Sequence, residues 1–95
     1  MQAFNIDVVT RGREGYARYA EAAHTHDFYW EFCGAGCVVS ANVPSVSEWP
    51  KQLPWAAGRR DEVVARVGEA LCRHSGPGCT WHLNDVWLEI RSPTH

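Results

Sequence analysis

The sequence predicts an α+β fold: an antiparallel sheet of four to six strands packed on one face by a single amphipathic helix, in the order β-β-β-β-α-β(-β). Three observations carry this expectation. Apolar residues recur at every second position at Phe4, Ile6 and Val8, and again at Phe28, Trp30 and Phe32, the period of a half-buried strand. A stripe at helical spacing, Val63, Val64, Val67 and Leu71, occurs once. Strands that cluster ahead of one helix favour an antiparallel sheet over alternating units of a parallel one.

The elements follow in order. Residues 4–9 form the first strand, and residues 10–15 (Thr-Arg-Gly-Arg-Glu-Gly) read as a turn. Residues 16–22 are open to two readings. Their alanines and the spacing of Tyr16 and Tyr19 suit a helix, but so short a helix is marginal, and a strand pairing back across the glycine-containing turn is preferred. The polar run His24-Thr25-His26-Asp27 reads as another turn. Residues 28–33 are the clearest strand, with Tyr29, Glu31 and Cys33 on the face opposite Phe28, Trp30 and Phe32. Gly34-Ala35-Gly36 reads as a tight turn in which glycine supplies positive φ. Residues 37–43 return as its hairpin partner, with Cys37, Val39, Ala41 and Val43 on one face.

Pro44, Pro50 and Pro54 then forbid an ordinary ladder or a long helix. Residues 45–49 suit one helical turn, capped by Ser45 and stopped by Pro50. The amphipathic helix covers residues 60–74. Asp61 and Glu62 lie in its first turn and Arg73 and His74 in its last, as the helix dipole favours, and Ser75-Gly76-Pro77-Gly78 ends it. Residues 80–83 and 86–91 make a closing hairpin about Asn84-Asp85, or one irregular strand. Val86, Leu88 and Ile90 face inward, and Trp87, Glu89 and Arg91 outward.

Composition narrows the class. A chain of 95 residues fits one domain, residues 1–95. Hydrophobic residues at 45% and charged residues at 21% argue against disorder. Nine Lys and Arg against eleven Asp and Glu leave no basic excess to follow a phosphate backbone, so nucleic acid is not an expected partner. No stretch approaches the ~18 apolar residues of a membrane span, so no membrane partner is expected. The N-terminus lacks the basic start and apolar run of a secretory leader. The expectation is a cytoplasmic protein whose four cysteines are free thiols or ligands.

Cys33 and Cys37 are the nearest approach to a metal pair, with His24, His26, Cys72, His74, Cys79 and His82 as the remaining pool. A structural zinc site takes four nitrogen or sulfur ligands, usually from paired short-spaced motifs. No second C-x-x-C is present, and Cys72-x-His74 and Cys79-x-x-His82 would supply a second pair only if the fold brought them to Cys33 and Cys37. Small packing cysteines are therefore the preferred reading, with zinc and a disulfide as alternatives. No cofactor is implied. Nucleophilic catalysis needs a Cys or Ser beside a His base; no local signature of that kind occurs, so no catalytic residue is assigned and an enzyme is not expected. Gly34-x-Gly36 precedes no helix and is not a phosphate loop. Asp27 and Glu31 flank the aromatic strand, as a solvated face or as partner-facing acids.

The segment from Trp49 to Arg60 is the most unusual. Trp49, Leu53 and Trp55 lie in a proline-stiffened loop that ends in Arg59-Arg60. Tryptophan and arginine are enriched at binding hot spots, and a stiff loop loses little entropy on binding. The partner-binding candidates are therefore Trp49, Trp55, Arg59 and Arg60, joined by Glu31 on the outward face of the 28–43 hairpin. The alternative is a loop whose tryptophans cover one end of the core.

Arg11-Gly12-Arg13 after the first strand, Trp30-Glu31, the Gly34 to Gly36 turn, Pro44-Ser45 with Trp49, Arg59-Arg60 and Leu88-Glu89-Ile90 together resemble small α+β immunity proteins of bacterial polymorphic toxin systems. The likeness covers most of the chain through short motifs; residues 50–55 and the four cysteines depart from it. The resemblance implies a bacterial, non-enzymatic protein that neutralises a toxin by binding it. The leading expectation is thus a non-catalytic protein-binding domain, an immunity or accessory protein. The alternative is a small metal- or thiol-dependent protein using Cys33 and Cys37. A homodimer that continues the sheet through an edge strand is compatible with either.

Overall fold

Alternation in the chain builds a sheet with one dry face. The computed structural model describes residues 3–34 and 37–93. Among these residues the strands are β1 (Phe4–Arg11), β2 (Glu14–Glu21), β3 (His24–Phe32), β4 (Cys37–Asn42), β5 (Thr80–Asn84) and β6 (Trp87–Arg91). They form one antiparallel sheet in the order β1-β2-β3-β4-β6-β5. One main helix, α2 (Arg60–Ser75), covers the inner face. A single turn of helix, α1 (Trp49–Gln52), and a 3₁₀ turn, Pro54–Ala56, precede it. The fold class and the order of elements are those the sequence predicts.

Residues 16–22 belong to a strand. In β2 the residues Gly15, Ala17, Tyr19 and Glu21 are buried and their neighbours are not. Tyr16 and Tyr19 lie three apart and so fall on opposite faces, Tyr16 outward and Tyr19 fully buried. On α2, Val63, Val64, Val67, Gly68, Ala70 and Leu71 are buried. Val63, Val64, Val67 and Leu71 join Ala17, Phe28, Val39, Ala41, Leu88 and Ile90 of the sheet in one core. Gly68 is where the helix comes closest to β5: a Cβ there would stand 2.6 Å from the Trp81 ring.

Of residues 10–15, expected to be a turn, only Gly12 and Arg13 turn, while Thr10, Arg11, Glu14 and Gly15 pair in β1 and β2; two further expectations about turns are overturned. His24-Thr25-His26-Asp27 is not a turn but the first half of β3, paired with β2 from Glu21↔His24 to Arg18↔Asp27. The reversal occurs at Ala22-Ala23, with Ala22 at φ 55°. Two-residue hairpin loops need positive φ and normally take Gly, Asn or Asp there. The β1–β2 loop obeys that rule with Gly12 at φ 65°, and the β5–β6 loop with Asp85 at φ 54°. The second correction concerns Pro50, which does not stop the helical turn. The Ser45 carbonyl accepts from the N–H groups of Glu48 and Trp49, and Ser45 Oγ accepts weakly from Glu48 N–H at 3.3 Å. Regular helix then runs from Trp49 through Gln52 with Pro50 in its first turn, where a missing N–H costs nothing. Of the glycine turn between β3 and β4, Ala35 and Gly36 lie outside the described residues; Gly34 O accepts from Cys37 N–H at 3.2 Å. Among the described residues no helix is long and apolar enough to cross a membrane.

Candidate functional site

The loop that the sequence marks as a partner surface is folded inward. Trp49 is 1% exposed, stacks on Phe28 with ring centroids 6.2 Å apart, and donates from Nε1 to Ala56 O at 2.9 Å. A buried indole with its N–H satisfied is core, so Trp49 is corrected from an exposed binding residue to a core residue, although its edge lines a depression with Arg59 and Arg60. Trp55 is half-buried. It lies between Tyr19 and His24, stacked on the first at 6.1 Å and on the second at 5.1 Å, and Phe4 stacks on the far side of Tyr19 at 5.8 Å. The column closes one end of the core.

Arg59 and Arg60 are fasteners. Arg60 donates to the carbonyls of Pro44 and Asp85, tying the start of α2 to the loop before it and to the β5–β6 turn. Arg59 grips Glu21 through both carboxylate oxygens, at 2.7 and 2.8 Å, and also pairs with Glu62. Arg66 reaches Glu21 at 3.3 Å and Glu62 at 3.2 Å while lying 4.3 Å above the Phe4 ring. The Tyr19 hydroxyl donates to Glu21 at 2.7 Å. Glu21 is thus a buried carboxylate, 4% exposed, whose charge the arginines hold in place. Its pKa falls to about 2, chiefly through the Arg59 hydrogen bonds against the opposing cost of burial. Arg59 in turn lowers the pKa of Glu62, and burial raises that of Tyr19. This network carried no sequence signal beyond a glutamate on the buried parity of a strand.

Cys33 and Cys37 are bonded to each other, with Cα atoms 5.4 Å apart, within ordinary disulfide reach. Neither sulfur is then available as a ligand, so the readings of this pair as packing thiols or as metal ligands are corrected to the third alternative. Among the described residues no three of His, Cys, Asp and Glu cluster as a metal site would need. Cys72 and Cys79 are free and half-buried, and burial pushes the Cys72 thiol up.

Arg59 and Arg60 line an open depression of about 570 Å³ at the start of α2, and Glu31 stands on the outer face of the sheet. The outer face of the sheet carries no helix. Register sorts its side chains into two rows that cross the strands. One row runs Arg11, Glu14, Glu31, Ser40, Glu89 and His82, each directly opposite the next. The adjoining row holds Tyr16 and Tyr29, opposite one another on β2 and β3, then Asn42 and Trp87, opposite one another on β4 and β6. Tyr29 is 65% exposed and Trp87 41%, and Tyr16 meets Tyr29 edge-on at 6.2 Å. Beyond the tyrosines, Arg18 forms a two-pronged pair with Asp27 at 2.8 and 3.0 Å, which lowers the pKa of Asp27. Arg91 pairs with Glu89 at 2.9 Å. Glu14, Glu31, Tyr29, Ser40, Asn42 and Trp87 line an open depression of about 210 Å³. A second one of about 420 Å³ lies over Arg11, Tyr16 and Arg18.

The chain matches no protein-family model, no curated protein and no solved structure. Function is therefore argued from the outer face itself. That face has exposed rings to bury, acids to pair and shallow relief, which is the anatomy of a macromolecular contact more than of an enclosed small-molecule site. The outward parity of Tyr29, Glu31 and Trp87 was readable from alternation. Glu14 and Tyr16 were missed because the residues around them read as turn or as an ambiguous segment.

Proposed function

We propose that this chain is a non-catalytic protein-binding domain whose partner docks on the uncovered face of the sheet. The observation that carries the reading is the row of exposed aromatic rings, Tyr29 and Trp87 foremost, on a face that no element among the described residues covers. Large apolar rings held rigidly on a sheet lose little entropy on binding and contribute much contact area. The sequence resemblance to immunity proteins supplies the finer form, a bacterial protein that neutralises a toxin by binding it; the cytoplasmic expectation rested on free thiols, and the Cys33–Cys37 disulfide counts against it. The exposed rings and acids of the sheet favour that face over the Trp49 to Arg60 loop as the surface we propose.

The test coexpresses the chain with tagged products of the reading frames that flank its gene. Copurification of a growth-inhibiting product, rescue of growth, and loss of both in Tyr29→Ser/Trp87→Ser at unchanged melting temperature are the expected result. No complex with any flanking product, or capture that ignores both substitutions, overturns the reading.

A further inference from the structure

The outer face has an electrostatic peculiarity that its fold does not require. Glu14 and Glu31 are directly opposite each other on β2 and β3. Cross-strand neighbours lie roughly 5 Å apart at Cβ, and like charges at that spacing destabilise a sheet. Among the described residues neither glutamate has an ion-pair partner, whereas the neighbouring Asp27 and Glu89 are matched by Arg18 and Arg91. Arg11, the remaining outward cation, stands directly opposite Glu14 on β1 and lies over the Tyr16 ring, 5.8 Å from its centroid, with no ion pair to Glu14 among the described residues; Asp7, also outward, has no ion-pair partner among them either. On this face the acids Asp7, Glu14, Asp27, Glu31 and Glu89 outnumber Arg11, Arg18 and Arg91, and Glu31, which faces no cation across either neighbouring strand, shares a depression with Glu14, Tyr29 and Trp87.

We propose that this face docks a basic segment of a protein partner, with an arginine side chain seated over the Glu14–Glu31 pair and against Tyr29 and Trp87. This rests on the protein-binding reading above and names the chemistry of the partner. Charge complementarity selects the occupant. A guanidinium offers a planar fork to carboxylates and a flat cation to aromatic rings. Its arrival converts a repulsive pair into two charge-assisted contacts. A polyanionic strand meets the wrong sign here. A second copy laid face to face would oppose acids to acids.

The probe is N-acetyl-arginine N-methylamide, titrated into the ¹⁵N-labelled full chain and followed at the Trp87 indole N–H and the Tyr29 and Glu31 amides. Saturable shifts are expected, at least about tenfold weaker for the neutral glutamine analogue and for Glu14→Gln/Glu31→Gln. That double variant should melt no lower than the parent, because it removes a repulsion. Equal shifts with the glutamine analogue, no shifts, a lower melting temperature in the double variant, or stronger shifts with oligothymidylate each overturn the proposal. So does dimerisation that buries the Trp87 indole. If a flanking gene product is captured through Tyr29 and Trp87 while the arginine probe fails, the inference falls and the protein-binding reading stands. If the probe binds as described and no product is captured, the partner assignment falls instead.

Discussion

Acid should unfold this protein through Glu21, and a single substitution should remove most of that sensitivity. Glu21 is buried with two arginines and a tyrosine hydroxyl on its oxygens, and its pKa lies near 2 against an ordinary 4.5. A carboxylate with a depressed native pKa binds fewer protons folded than unfolded. Its contribution is complete above the unfolded value and drains away as pH falls from about 5 toward 2. The displacement corresponds to about 3 kcal/mol, a large share of the stability of a small domain. In Glu21→Gln the side chain keeps its shape, but Arg59 and Arg66 lose their shared anion. The assay is urea unfolding of both proteins at several pH values between 7 and 2.5, compared as a difference so that carboxylates common to both cancel. The wild type should be more stable by about 3 kcal/mol at pH 6–7, with the gap closing progressively below pH 5. A gap that stays constant down to pH 2.5 would refute the reasoning, since it would mean that the loss came from packing and not from the charge.

Three further outcomes are expected. Ala22→Gly should stabilise the fold by about 0.5–1 kcal/mol, read as a rise in melting temperature, because alanine is strained at φ 55° in a two-residue loop and glycine is not. Trp55→Ala should cost about 2 kcal/mol, because the indole closes the core between Tyr19 and His24; an unchanged melting temperature would return Trp55 to the partner surface. Without reductant, unfolded protein should show two reactive thiols, Cys72 and Cys79, and after reduction four; four from the start would place Cys33 and Cys37 as an open pair.

Periodicity made the layers of this fold legible, and register made its surface. Val63, Val67 and Leu71 announce a helix, and Phe28 and Trp30 announce a strand, because each pattern is contained in its own short window. The β2 strand was harder. Its buried parity is Gly15, Ala17, Tyr19 and Glu21, two small residues and an acid, with almost no hydrophobic contrast for alternation to show. The turn at Ala22-Ala23 was hidden for the same kind of reason: tertiary pairing on both sides forces a conformation that its residues do not favour, so turn chemistry pointed instead to the polar His24 to Asp27, which are strand. The inward fold of Trp49 and Trp55 was equally silent, since a proline-stiffened loop with tryptophans has the same composition whether it presents them or buries them. The candidate site depends still more on distance in sequence. Glu31 alone is an ordinary solvated acid. It becomes unusual only beside Glu14, seventeen positions away, once a two-residue loop and an antiparallel register set them opposite one another. A repulsion kept beside the exposed rings of an open face is a cost to folding, and a cationic partner is the simplest thing that would turn it into a gain.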